Sequence, residues 1–230
     1  MESEDVVLLD KVKKVYEGGG LPVTALEEIS FGVKPRDFLA IAGPSGSGKT
    51  TCLNLIGALD MPSSGEVYVA GQNLGKLNGK QLSEVRRFEI GFIFQSFNLI
   101  PVLTAQENAE FTLGLQKVPK AERRRMSMEA LEAVGLADFA HRRPHQLSGG
   151  QQQRVAIARA IAPQPKIILA DEPTANLDSK TAESLLDLME DLNSKGSAFV
   201  FSTHDQRIMD RAHRLLYLQD GHLISEKSKS

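Results

Sequence analysis

The stretch that decides the fold is a glycine-rich loop, Gly43-Pro44-Ser45-Gly46-Ser47-Gly48-Lys49-Thr50-Thr51. It fits the pattern G-x-x-x-x-G-K-[ST], in which glycines let successive backbone N–H groups turn toward one anion. An apolar run at residues 38–42 predicts a buried strand before the loop, and residues 51–57 predict a helix after it. A strand, a glycine loop and a helix N-terminus together predict a phosphate-binding site. We expect Lys49 to contact the outer phosphates and Thr50 to offer its hydroxyl to Mg²⁺.

Composition narrows the class of protein. The chain has 230 residues and a net charge of -2, so it lacks the basic field of most nucleic-acid-binding proteins, and we expect no nucleic-acid partner. Its one cysteine, Cys52, excludes an internal disulfide and is expected to be a small buried residue. The acidic start is unlike a signal peptide, and no apolar run approaches the roughly 18–20 residues that span a bilayer. These features predict a cytoplasmic protein.

The segments before and after the loop predict a layered α/β fold. Residues 6–9 and 12–16 predict two short strands, residues 17–22 a flexible turn, and residues 23–33 a further strand. Several strands before the first long helix indicate an antiparallel layer beside a mostly parallel sheet. Near the end of the chain, Asp220-Gly221 predicts the two-residue turn of a β-hairpin.

In the middle of the chain, the sequence pattern changes to one typical of helices. Thr104 and Ser148 each begin a capping box, with Glu107 and Gln151 three residues later, and helical spacing of apolar residues follows both. We therefore expect residues 96–165 to form an inserted α-helical subdomain. Residues 5–95 and 166–230 are then expected to form one core.

Polar residues follow three predicted strands, where they would meet the phosphate loop. Asp171 and Glu172 come after the most apolar run of the chain; Asp171 is expected to hold Mg²⁺, and Glu172 is the candidate general base. Gln95 and His204 end two further strands and are candidates to contact Mg²⁺ or the terminal phosphate. Each of these two, taken alone, is also explained as a polar residue that satisfies a strand end.

A second glycine-rich element contains Ser148, Gly149, Gly150 and Gln151. A serine, two glycine amides and a helix N-terminus can form an anion site. The same residues also suit an ordinary helix cap after a turn.

Together these motifs resemble the nucleotide-binding subunit of ATP-binding-cassette (ABC) transporters, along nearly the whole chain. The matching motifs are Walker A at 43–51, the Q-loop at Gln95, the LSGGQ signature at 147–151, Walker B at 167–172, the D-loop at 175–178 and the switch histidine at His204. Tyr16 stands where the family stacks an aromatic ring on adenine.

The resemblance implies a P-loop NTPase core that binds ATP and Mg²⁺ and hydrolyses ATP as a homodimer. The residues implied to act in catalysis are Lys49, Gln95, Glu172 and His204. Those implied to bind Mg²⁺ are Thr50, Gln95 and Asp171. The signature residues, Ser148, Gly149, Gly150 and Gln151, would bind ATP held by the second copy, and residues 95–101 would face a transmembrane partner.

A subgroup is also indicated. Residues 55–60, 90–101 and 103–108 resemble the lipoprotein-releasing and macrolide-exporter branch, although Ala175 replaces a glycine that is commoner there. This implies a protein on the inner face of the cell membrane that is coupled to a separate permease for export or lipoprotein release by mechanotransmission. One alternative is a cell-division-type cassette that signals to periplasmic hydrolases. Another is a soluble ATPase of DNA repair or translation.

Overall fold

The computed structural model describes residues 5–17 and 21–229, so part of the turn predicted at residues 17–22 lies outside the described residues. In the described chain the strands are β1 Val7–Tyr16, β2 Val23–Val33, β3 Phe38–Ala42, β4 Ser64–Val69, β5 Gln72–Asn73, β6 Ile90–Ile93, β7 Ile167–Asp171, β8 Ala198–Thr203, β9 Arg214–Gln219 and β10 His222–Ser228. The α-helices are α1 Lys49–Ile56, α2 Gly79–Phe88, α3 Ala105–Leu115, α4 Lys120–Ala133, α5 Gly149–Ile161, α6 Ser179–Ser194 and α7 Gln206–Arg211.

The central sheet has six strands in the order β10-β9-β3-β8-β7-β6. All neighbouring pairs from β9 to β6 are parallel, and only β10 is antiparallel to its neighbour. Both faces of this sheet are buried: Phe38 and Ala40 of β3 join one apolar cluster, while Leu39 and Ile41 join the other. This arrangement confirms the mostly parallel sheet, and it explains why β3, β7 and β8 are continuous apolar runs.

A second sheet is antiparallel and has the order β2-β1-β4-β5. Helix α1 packs between the two sheets and buries Cys52 completely. Burial raises the pKa of the Cys52 thiol to about 12, so this cysteine is an inert part of the core, as expected. The layer confirms the predicted α/β architecture.

The prediction of two strands within residues 6–16 was wrong, because β1 is one continuous strand with a bulge. The pairing of β1 with β4 shifts register between Asp10 and Lys13, and Lys11 adopts a left-handed φ of 47°. The bulge lets Leu9 and Val12 both point into the core, although their spacing does not fit simple alternation.

The segment at 96–165 is helical, as expected, and contains α3, α4 and α5 without a strand. Thr104 and Ser148 both form the predicted capping boxes. The apolar cluster under these helices includes Leu131 and Ile157 and continues into Ile168 of β7. The segment is therefore packed directly onto the central sheet.

The predicted Asp220-Gly221 turn is also present, between β9 and β10. Both residues have positive φ angles, 48° and 80°, as a two-residue hairpin of this kind needs. Among residues 5–17 and 21–229, no helix combines the length and apolar composition that crossing a bilayer requires.

Candidate active site

The glycine-rich loop leaves β3 and ends where α1 begins. Gly43 and Gly48 have positive φ angles of 152° and 102°. A Cβ atom on Gly43 would lie 2.0 Å from the Leu218 carbonyl oxygen, and one on Gly48 would lie 2.4 Å from the Ala25 carbonyl oxygen. Among the residues that the structure describes, no side chain caps the N-terminus of α1. The loop therefore approaches other backbone segments closely, and the positive end of α1 is left for a ligand.

An open cleft of about 570 Å³ lies over this loop. The sequence-predicted residues that line it are Ser45, Gly46, Gly48, Lys49, Thr50, Thr51, Gln95, Glu172 and His204. The remaining lining residues, Val23, Thr24 and Ala25 of β2, were not predicted because nothing in their sequence distinguishes them from other strand residues. Tertiary packing of the second sheet places them there.

Lys49 lies along the loop. Its side chain is almost fully buried, and its ammonium donates hydrogen bonds to the carbonyl oxygens of Gly43 at 2.8 Å and Pro44 at 2.9 Å. The positive charge is therefore held within the turn of the loop.

Asp171 stands beside the first turn of α1. Its Oδ1 atom accepts hydrogen bonds from the Ser202 hydroxyl at 2.8 Å and from the Thr50 hydroxyl at 3.4 Å. The pairing of β7 with β8 sets Asp171 opposite Ser202. A hydroxyl and a carboxylate suit Mg²⁺, which takes oxygen ligands and usually keeps several waters and substrate oxygens. The described residues contain no cluster of three or more His, Cys, Asp or Glu that would hold a metal alone.

Glu172 and His204 form a pair at the cleft. The Nδ1 atom of His204 lies 2.7 Å from one carboxylate oxygen of Glu172, and the Thr203 hydroxyl lies 3.4 Å from the other. With its proton on Nδ1, the imidazole donates this hydrogen bond to the carboxylate. Glu172 is mainly buried and has a left-handed φ of 45°, and its backbone N–H donates a hydrogen bond to the Ser202 carbonyl oxygen. This arrangement can orient a water molecule over the loop.

Gln95 and Tyr16 lie at the margins of the site. The backbone carbonyl of Gln95 accepts a hydrogen bond from Asn176, which connects it to the segment after Glu172. Tyr16 ends β1 opposite Val23 and is not among the residues that line the cleft. Its hydroxyl donates to Asp60 at 3.0 Å, and the ammonium of Lys14 lies 4.8 Å from its ring centroid.

The second glycine-rich element is separate from this cleft. Ser148 caps α5 and forms the capping box with Gln151, and neither they nor Gly149 and Gly150 line the cleft. A Cβ atom on Gly150 would lie only 2.3 Å from Cγ2 of Thr181, so a close contact with α6 requires glycine there.

A charged contact fixes the turn that follows Glu172. The Thr174 hydroxyl donates to Asp205 at 2.7 Å, and Arg207 donates to both carboxylate oxygens of Asp205. These hydrogen bonds, with that of Arg207 the largest cause, lower the pKa of Asp205 from 3.8 to about 2. The sequence analysis did not identify this contact, because a carboxylate two residues before an arginine is a common pattern.

Comparisons with known proteins agree with this geometry. A family model described as ABC transporter matches residues 26–175. An ABC transporter ATP-binding protein of Thermotoga maritima is 47% identical and covers 95% of this chain and 93% of its own length. The macrolide export ATP-binding/permease protein MacB of Brucella melitensis is 41% identical over 100% of this chain, which spans 35% of MacB.

A solved structure is similarly close. This structure is of the ATP-binding cassette MJ0796 of Methanocaldococcus jannaschii, described as a dimer in a post-hydrolysis state bound to ADP and Pi. It superimposes on this chain with a TM-score of 0.88 and is 46% identical in sequence. The match covers 96% of this chain and 98% of that one. Since both the family model and relatives of nearly equal length match most of the sequence, the chain belongs to the ABC transporter family of ATP-binding proteins and is an ABC-type ATPase.

Proposed function

We propose that the cleft above the phosphate loop hydrolyses ATP and that closure of a homodimer transmits this reaction to a transmembrane permease. The observation that carries the proposal is the position of the Glu172–His204 pair, which lines the same cleft as Lys49 and Thr50. A base and a phosphate cradle thus face one space. A nucleotide bound there has its terminal phosphate within reach of water activated by Glu172.

The residues have distinct roles in this proposal. The ammonium of Lys49 offsets charge on the β- and γ-phosphates, and the free backbone N–H groups of the loop between Gly43 and Thr51 bind their oxygens. Glu172 takes the proton of the attacking water, and His204 keeps the carboxylate in place. Thr50, Asp171 and Gln95 would hold Mg²⁺, which when bound neutralises charge on the phosphates. Tyr16, beside the cleft, is assigned to the adenine.

A second copy completes the site. Ser148, Gly149, Gly150 and Gln151 carry an exposed helix N-terminus but do not line the cleft of their own chain. We assign them to the γ-phosphate of ATP in the partner copy, so that two ATP molecules lie in the dimer interface. The dimeric state of the MJ0796 cassette supports this assignment.

A groove on another face suits the permease. It has a volume of about 430 Å³, lies between β6 and the helical segment, and is lined by Phe92, Phe94 and Phe111 among others. Phe111 and Leu115 also expose apolar surface there. We propose that a separate permease contacts this groove and residues 95–101, and that residues 96–165 act as the subdomain that moves. In this proposal the protein lies at the inner face of the cell membrane, held there by its permease partner.

The branch assignment completes the proposal. The MacB relative is an export protein with its permease in the same chain, and the sequence patterns at 90–101 and 103–108 resemble that branch. We therefore propose that ATP-driven closure moves the permease for export or lipoprotein release by mechanotransmission.

Variants of two residues test the ATPase site. Glu172→Gln removes the base but keeps the shape of the side chain, so this variant should still bind ATP. Its turnover should fall by a factor of about 100 or more, which is on the order of a general base's contribution. The variant should therefore accumulate as an ATP-bound dimer. Lys49→Ala should instead weaken ATP binding. Glu122→Gln, on the exposed start of α4, is the control and should behave as wild type. Normal hydrolysis by Glu172→Gln would contradict the assignment of the base.

A further inference from the structure

We infer that Gln153 is a positioning residue for Glu172. Within one copy, it connects α5, the helix that Ser148 caps, to the carboxylate of Glu172. The inference rests on the proposed function, because it takes Glu172 as the base and Ser148 as a contact to the partner's ATP. It concerns a buried hydrogen bond between α5 and the turn after β7.

Gln153 points from α5 into the protein and has no exposed surface. Its Nε2 atom donates a hydrogen bond of 2.8 Å to the carbonyl oxygen of Pro173. Pro173 is buried and follows Glu172 directly. The amide of Ala175 bonds to the Glu172 carbonyl, which leaves the Pro173 carbonyl to the glutamine. The side chain of Gln153 therefore holds the first peptide of the turn that carries Glu172.

Packing alone does not explain a glutamine at this position. The Oε1 atom of Gln153 is buried and has no hydrogen-bond partner among the described residues. A buried acceptor without a donor is unfavourable, and a methionine would fill a similar volume without a buried amide oxygen, although it would leave the Pro173 carbonyl oxygen unpaired. What a methionine lacks is the donor to Pro173. The structure thus keeps Gln153 for its hydrogen bond rather than for its volume.

The turn is held from two sides. Gln153 holds it from α5, and the hydrogen bond from the Thr174 hydroxyl to Asp205 holds it from the start of α7. Glu172 itself has a left-handed φ, a conformation that persists when surrounding contacts determine it. Because Ser148 caps the N-terminus of α5, a shift of this helix when Ser148 contacts the partner's ATP also shifts the Pro173 carbonyl. Engagement at one ATP site is thereby communicated to Glu172 at the other.

Gln153→Met tests this role, with Gln152→Met as the matched control. Gln152 lies on the same helix and also donates its amide to a carbonyl, but that carbonyl belongs to Leu147 in its own segment. Gln153→Met trades the unpaired Oε1 for an unpaired Pro173 oxygen, so its melting temperature should stay close to that of wild type. Its kcat should fall about ten- to a hundredfold, as for a catalytic group displaced by a fraction of an ångström to one ångström. Its KM for ATP should stay within about twofold.

A second variant distinguishes positioning from general damage. Gln153→Glu can donate to the Pro173 carbonyl only while its carboxyl group is protonated, so its kcat relative to wild type should be highest at acidic pH and fall as pH rises. In the Glu172→Gln background, Gln153→Met should leave ATP-driven dimer formation unchanged, because the base it positions is already absent.

Three results overturn the inference: a kcat for Gln153→Met equal to that of Gln152→Met, a pH-independent ratio for Gln153→Glu, or loss of the dimer in the double variant. Failure of the proposed function looks different, since wild type would then lack ATPase activity or Glu172→Gln would retain it.

Discussion

At the scale of single residues, the two glycines of the second glycine-rich element, Gly149 and Gly150, are under different steric constraints. Gly149 has room for a methyl group, with its nearest neighbours 3.8 and 3.9 Å from an added Cβ. Gly150 has none, because Cγ2 of Thr181 would be 2.3 Å away. The motif that we assign to a partner's nucleotide is therefore also constrained by the packing of α5 on α6 in its own chain.

Gly150→Ala should destabilise the fold by about 1–3 kcal/mol, the usual cost of overpacking a well-filled site. Gly149→Ala is the control and should be neutral or stabilising by about 0.5–1 kcal/mol, because alanine favours a helix over glycine. Thr181→Ser removes the methyl group that clashes, so the double variant Gly150→Ala/Thr181→Ser should regain much of the stability that Gly150→Ala loses. Urea unfolding measures all three free energies, and equal stability of the two alanine variants would contradict this explanation.

Asp205 predicts a dependence of stability on acidic pH. Its pKa is about 2 in the folded protein and near 3.8 when the contacts with Arg207 and Thr174 are absent. A lowered carboxylate pKa stabilises the folded state above about pH 4, and this contribution is lost as pH falls from about 4 to 2. It amounts to no more than about 2 kcal/mol, because Arg207 is partly exposed and solvent screens it.

Asp205→Asn is the matched variant for that prediction, since asparagine keeps the capping oxygen for α7 but cannot ionise. Its free energy of unfolding should fall less than that of wild type between pH 4 and 2, while wild type is the more stable at neutral pH. Parallel pH profiles for the two proteins would remove Asp205 as the cause.

At the scale of elements, α5 connects the parts of the site. Its N-terminus carries Ser148, its middle contacts Pro173 through Gln153, and its last turn reaches the segment after Gln95 through Arg159. The guanidinium of Arg159 donates to the carbonyl oxygens of Phe97 and Asn98, which both have left-handed φ angles. Burial lowers the pKa of Arg159. A helix thus fixes an otherwise strained segment that we assign to the permease interface.

Arg159→Met should loosen that segment. The amides of residues 96–100 should exchange hydrogen about ten times faster or more, because the loss of roughly 1.5–3 kcal/mol of charged hydrogen bonding favours local opening. Arg154→Met is the control, since Arg154 of the same helix donates instead to the Val134 carbonyl and the Ser184 hydroxyl. Mass-spectrometric exchange should show protection lost at 96–100 only in Arg159→Met.

At the scale of the whole molecule, we propose that one chain holds two incomplete halves of a nucleotide site. The cleft contains the phosphate loop, Gln95, Glu172 and His204, while the Ser148 element lies outside it. In the homodimer that we propose, each ATP has the loop of one copy on one side and Ser148 of the other copy on the opposite side.

A mixed dimer tests this arrangement. One copy carries Ser148→Arg and the other carries a distinguishable tag with an intact Ser148. The ATP bound by the loop of the intact copy should be hydrolysed far more slowly, because Ser148→Arg of the other copy faces it. The ATP bound by the loop of the variant copy faces an intact Ser148 and should be hydrolysed normally. Site-specific trapping of bound nucleotide measures each site. Impairment confined to the copy that carries the substitution would contradict a shared site.

Much of the architecture could be predicted because its signals are local. The apolar runs of β3, β7 and β8, the capping residues Thr104 and Ser148, and the Asp220-Gly221 turn each act through neighbours in sequence. The bulge in β1 could not be predicted, because it depends on pairing with β4 and on the core beneath Leu9 and Val12.

The sequence alone determined the family, and the residue types and spacing of the glycine loop, Lys49 and the carboxylates Asp171 and Glu172 at the end of β7 predict the chemistry. Only the tertiary structure decided how these groups are supported. In the sequence, Gln153 is one glutamine in a polar run, and only the fold shows that it is buried against Pro173. In the same way, only the fold shows that Thr181 leaves no room for a side chain at Gly150. The reason is physical: each motif is a short run of particular functional groups that can be recognised in the sequence, whereas bringing the motifs together and supporting them depends on contacts between distant segments, which only packing creates.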